Sequence, residues 1–222
     1  MSKCESKMLA GIAIILMIIL HVMAGNLFEH KSILLSDDMI TSFARFGKIC
    51  VSVYAFLSGY GMWTKYMHFN KNLEIHELIA MILKRIRNFY SFYFPIVVLV
   101  AVIKFPKEGI SYVVMLKNII GLSWSYNAAW WYVRYYLIMV IVLFPVSVLF
   151  YQFIMKKGIS KKLGEMFDGI ILFLLVLLSI VIGIKKSGVP CLFVFVTGEL
   201  CAKYDLIARI RRGDKYCIIA FM

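Results

Sequence analysis

Acidic side chains are scarce in this chain: 12 Asp and Glu stand against 25 Lys and Arg, a formal charge of +13. The five cysteines (Cys4, Cys50, Cys191, Cys201 and Cys217) are scattered and include no CxxC. That spacing gives neither a metal site nor a disulfide framework. No internal repeat or low-complexity tract is present, which removes solenoids and disordered tails. What is missing above all is charge within several long runs. The chain is 62% hydrophobic with a mean hydropathy of +0.85, where soluble domains run near 45–50% apolar. Uninterrupted apolar runs make that excess a set of membrane spans rather than one core. The expected fold is therefore all-α, a polytopic membrane helix bundle. In such a chain the basic excess is read by its position along the sequence, and nothing in it calls for nucleic acid.

The runs place spans at Met8–Ala24, Lys48–Tyr66, Tyr90–Ile103, Ala129–Met155, Gly169–Ile184 and Val189–Ala202, with the start of a seventh at Tyr216. Only "YCIIAFM" of that seventh segment is present, too short for the roughly 20 residues a crossing requires, so a truncated chain is expected. Residues 71–88 space Leu73, Leu78, Ile79, Ile82, Leu83 and Ile86 on one helical side with charge opposite. This predicts a cytosolic amphipathic helix lying in the interface, within a single domain covering 1–222. Segments on the N-terminal side of the membrane hold twice as many basic residues as those on the other, which orients the N-terminus to the cytosol. Lys3, Lys7 and the small residues near Ala24 imitate a signal peptide, but an uncleaved first span is the expectation.

Polar groups inside apolar runs are the functional candidates. His21 ends the run "GIAIILMIILH", about 20 Å along its helix from Met8. A neutral imidazole can serve there as a general base, or simply hydrogen-bond a neighbouring helix. At 100° per residue Lys7, Ala10 and His21 fall near one face, so one strip could hold an anion at one end and do proton chemistry at the other. Equally, Lys7 could only snorkel to lipid phosphates. The fourth span opens with "SWSYNAAWWYVRYY", where Tyr126, Asn127, Trp130, Trp131 and Arg134 could receive a sugar and steady developing charge, or form an aromatic belt. Lys84, Arg85 and Arg87, before the third span, suit a phosphate-bearing donor as well as topology and lipid attraction. Ser58, Gly59 and Gly61 in "AFLSGYGMW" would let another helix approach closely. Glu199 is spaced to pair with Lys203 at i,i+4 and is assigned no chemistry.

Five stretches in order, "GIAIILMIILH", "FGKICVSVYAFLSGYGM", "KRIRNFYSFYFP", "AAWWYVRYYLIMVIVLFP" and "VFVTGELCAKYDL", resemble the landmarks of acyltransferase family 3, over essentially the whole chain. The family has further spans, so the likeness is to its N-terminal two-thirds. The resemblance implies a bacterial cytoplasmic-membrane enzyme. It would move an acyl group, commonly acetyl, from cytosolic acyl-CoA to a hydroxyl of a cell-surface polysaccharide. His21 matches the family's essential histidine, and its paired arginines map onto Lys84 and Arg87, with lysine in the first place. Where the family usually has a basic residue eleven positions ahead of the histidine, this chain has Ala10; Lys7 lies one turn earlier. Expected partners are membrane lipid, acyl-CoA as co-substrate, a glycan acceptor and a second copy of the chain, with no metal and no separate cofactor. Two rival readings remain: a transporter or flippase of lipid-linked sugar, and an inactive fragment of such an enzyme.

Overall fold

The computed structural model describes residues 1–29, 38–39, 42, 46–69, 74–108, 111–127, 130–157, 164–171, 173–174 and 189–213. Every regular element among them is helical. The helices are α1 (Lys3–Glu29), α2 (Ile49–His68), α3 (Ile75–Glu108), α4 (Tyr112–Ile119), α5 (Trp131–Ile138), α6 (Phe144–Lys156), α7 (Val189–Lys203) and α8 (Leu206–Arg211). Lys3–Val22, Ile75–Ile103 and Trp131–Lys156 are each long and apolar enough to cross a membrane. Two further predicted spans are also helices, although α7 has only 15 residues. Most of the expected fifth span, and the segment from Tyr216, lie outside the described residues.

Local chemistry explains the helix boundaries. At the start of α1, Ser2 and Glu5 form a reciprocal capping box. The Ser2 amide donates to Glu5 Oε2 at 2.7 Å, and the Glu5 amide to Ser2 Oγ at 3.2 Å, satisfying donors that a helix start leaves open. The Trp131–Lys156 span is not a uniform helix. Met139–Leu143 widens into a π turn, with the Phe144 amide donating to the Met139 carbonyl. Pro145 follows at once; its ring has no N–H and would press on the carbonyl four residues back, and the wider turn relieves that clash.

One expectation separates what the structure joins. The amphipathic segment and the third span form a single helix, α3, of 34 residues. No glycine or proline stands between Arg87 and Tyr90 to end it, and Pro95 is carried within the helix, as apolar surroundings allow. At 1.5 Å per residue α3 is about 50 Å long, well beyond a ~30 Å hydrocarbon layer.

The chain divides into two compact units, Met1–Lys65 with Phe193–Met222, and Tyr66–Leu192. In the first, α1 lies antiparallel to α2: the Met1 amine donates to the Tyr60 hydroxyl at 2.6 Å, the Tyr54 hydroxyl to the Ala10 carbonyl at 3.4 Å, and Gly47 packs on Leu16 and Leu20. Helix α7 runs parallel to α2, since Gly198 rests on Phe56 and Tyr60 while Lys203 reaches the ring of Trp63. In the second unit α4 folds back along α3, and α5 and the π turn then pack against α3. Its core centres on Tyr93, Val97 and Val133.

Candidate active site

His21 sits where α1 offers an exposed strip. The stripe that meets α2 passes through fully buried Ala13, with Leu16 and Leu20 against Gly47. His21 lies about 80° round the helix from Ala13 and Lys7 about 120°, and both side chains are exposed. The two therefore flank the packing stripe on one side, about 21 Å apart along the axis. Met8, Ile12, Ile15 and Ile18 turn outward, as lipid contact requires. At Ala10, where a cation would be expected by resemblance, the backbone carbonyl takes the Tyr54 hydroxyl. Near the His21 end of the unit, Asp38, Met39, Ser42 and Phe46 line a shallow hollow of about 520 Å³. No pattern in the sequence marked that hollow.

The aromatic stretch belongs to the second unit, and there it is built rather than loose. Buried Asn118 at the end of α4 donates through Nδ2 to the Val114 carbonyl at 2.8 Å and to Ser125 Oγ at 3.1 Å, and its Oδ1 accepts the Tyr126 amide at 3.4 Å. From α3 the Tyr93 hydroxyl donates to the Asn118 carbonyl at 2.8 Å, and the Tyr90 hydroxyl to the Ile119 carbonyl at 3.1 Å. Arg134 closes the loop from the far side. Its Nε donates to the Gly121 carbonyl at 3.0 Å and its Nη2 to the Leu122 carbonyl at 2.6 Å, with the guanidinium over the Trp124 ring at 4.9 Å. Gly121 has φ +72°, and a Cβ there would lie 3.0 Å from the Arg134 amide, so glycine is required on both counts.

Tyr126 and Trp130 pack against the Tyr93 core, and Trp130 meets the Tyr93 ring edge-on at 5.4 Å. Trp131 contacts the rings of Tyr132 and Tyr135, and Asn127 is exposed. Among the candidate acceptor residues, Arg134 thus holds a loop, and two of the aromatics carry core packing. Arg134→Gln should lower stability by about 2 kcal/mol, the scale of losing hydrogen bonds from a charged donor. Faster proteolysis confined to residues 120–127 would register it; an unchanged cleavage pattern would show that the loop holds without Arg134.

Lys84, Arg85 and Arg87 are all exposed on α3, and Arg85 Nε donates to the Tyr136 hydroxyl at 3.1 Å. Tyr136 packs on Phe89 at 4.7 Å, Phe89 stacks on Tyr93 at 5.2 Å, and Tyr93 meets Trp130. Arg85 and Tyr93 lie about 12 Å apart along α3, and this run of rings links the basic cluster to the aromatic stretch. The cause is the unbroken α3, along which α4 and its loop return. Sequence reasoning missed Tyr93, which resembles an ordinary span residue, and Asn118, which lies between two expected spans. Glu199, spaced to pair with Lys203 in the sixth expected span, is 2% exposed.

Taken together, these are the features of an apolar helical membrane protein with His21 and several cations exposed beside apolar side chains. A family model described as an acyltransferase domain matches residues 8–222. The chain belongs to acyltransferase family 3 and is, in general type, a membrane acyltransferase. The comparisons with curated proteins and with solved structures returned no match.

Proposed function

We propose that the chain transfers an acyl group, acetyl in the first instance, from cytosolic acyl-CoA to a hydroxyl of a cell-surface polysaccharide. It does so from the bacterial cytoplasmic membrane, with six spans and a seventh begun and the N-terminus inside. The observation that carries this reading is His21, an exposed imidazole at the far end of a spanning helix that starts with Lys7 on the same side. A hydroxyl is a weak nucleophile until a base removes its proton, and His21 is the base. The oxygen attacks the thioester carbonyl, the C–S bond breaks, and the CoA thiolate takes up a proton as it leaves. The phosphate contacts for the donor are Lys7 in the first unit and, in the second taken by itself, Lys84, Arg85 and Arg87. In the second unit Trp131 and the exposed Asn127 meet the acceptor, while Tyr126, Trp130 and Arg134 hold the core and loop that carry them.

Membranes containing the chain, supplied with acetyl-CoA labelled in the acetyl group, should carry label covalently on the glycan fraction. A flippase would relocate lipid-linked sugar without labelling it. Unlabelled glycan beside intact, well-expressed protein would remove the acetyl-CoA reading for this chain.

A further inference from the structure

The first unit gathers cations at one end, and of these the acyltransfer reading uses Lys7 alone. Helix α1 begins there with Lys3 and Lys7, and α7 ends there with Lys203. After Asp205, in the left-handed region at φ +51°, the chain turns into α8, which brings Arg209, Arg211 and Arg212 to the same place. The contact that fixes this is Arg211 Nη2 with Glu5 Oε1 at 2.6 Å, joining α8 to the capping box of α1.

Among the described residues of α8 and the first turns of α1, the carboxylates set against these cations are Glu5 and Asp205, and each is already engaged: Glu5 with Arg211, and Asp205 with Arg212 at 3.6 Å. Lys203 lies over the rings of Trp63 and Tyr204. Lys3, Lys7, Arg209 and Arg212 remain exposed. The apolar lengths of α1, α2 and α7 all terminate at this end, which sets the cations at the level where phosphate is the prevailing anion. Arginine forks grip phosphate oxygens in pairs.

We propose that α8 and the first turns of α1 form a phosphate-binding surface, with the Glu5–Arg211 pair as the clasp that assembles it. The ligand chemistry is a phosphate group at the membrane surface, carried either by an anionic lipid headgroup or by the nucleotide end of the acyl donor. The second source extends the acyl-CoA reading above; the first does not depend on it.

The test uses the full chain in neutral detergent micelles and two probes. One is 3′,5′-ADP, followed by titration calorimetry. The other is phosphatidylglycerol competing with phosphatidylcholine in mixed micelles, followed by native mass spectrometry. Arg209→Gln with Arg212→Gln should weaken at least one probe about tenfold or more, while Lys156→Gln with Lys157→Gln, at the end of α6, should leave both unchanged. Loss of 3′,5′-ADP alone assigns the surface to the donor, and loss of phosphatidylglycerol alone to lipid. Unchanged binding of both probes overturns the proposal, as does an equal loss in the α6 variant, which would reduce the effect to total charge. Glu5→Gln should reproduce part of the loss through the clasp. Neither readout needs turnover, so a chain that binds but transfers nothing would refute the function and leave this surface standing.

Discussion

His21→Ala is expected to lower acyl transfer by about 10²–10⁴-fold, the range a positioned general base contributes, with expression and melting temperature unchanged. The second half of that expectation comes from the packing. Helix α1 holds α2 through Ala13, through Leu16 and Leu20 on Gly47, and through the Ala10 carbonyl; His21 lies off that stripe and is exposed. Removing an exposed imidazole there takes nothing from the contact. His21→Gln sharpens the test, because glutamine can still hydrogen-bond but cannot take a proton at neutral pH. The two variants should be equally inactive at matched protein level. Transfer by His21→Gln near the unsubstituted rate would reduce His21 to a hydrogen-bonding role. A matching fall in melting temperature would make it structural.

The helical class and the apolar lengths of α1 and of the Trp131–Lys156 span could be read from the sequence, because runs without charge leave few alternatives. So could the family, whose landmarks are short but ordered. The relation between α3 and the aromatic stretch could not. Periodicity separated a charged amphipathic segment from an apolar span, yet helix continuity depends on whether anything stops the backbone, and nothing does between Arg87 and Tyr90. Arg134 shows a different limit. Its cost within a span singled it out, but did not say whether its donors face a ligand or the Gly121 and Leu122 carbonyls, which they do meet. The capping box was present in the letters of Ser2 and Glu5; its meaning emerges only with Arg211, 206 residues along the chain.

Gly59→Ala should destabilise the chain by about 3 kcal/mol, at the upper end of overpacking costs, whereas Gly61→Ala, two residues away, should stabilise it by about 0.5–1 kcal/mol through helix propensity. The sequence offered both glycines as small residues for close approach; the structure divides them. A Cβ on Gly59 would overlap the Phe195 carbonyl oxygen and sit 3.2 Å from the Glu199 amide, while one on Gly61 meets nothing within 4 Å. From the opposite helix, a Cβ on Gly198 would overlap the Phe56 carbonyl oxygen. These are backbone contacts, so no side-chain rotation relieves them and the two helices must part. Gly198→Ala should therefore cost about as much as Gly59→Ala. Both act at one crossing, and once the first has separated α2 from α7 the second has less left to displace. The double variant should fall well short of the sum, with a coupling of about 2 kcal/mol. Melting curves of the four chains in one detergent measure this directly. If Gly59→Ala followed Gly61→Ala in sign, or if the two costs simply added, the two glycines would not share a single crossing.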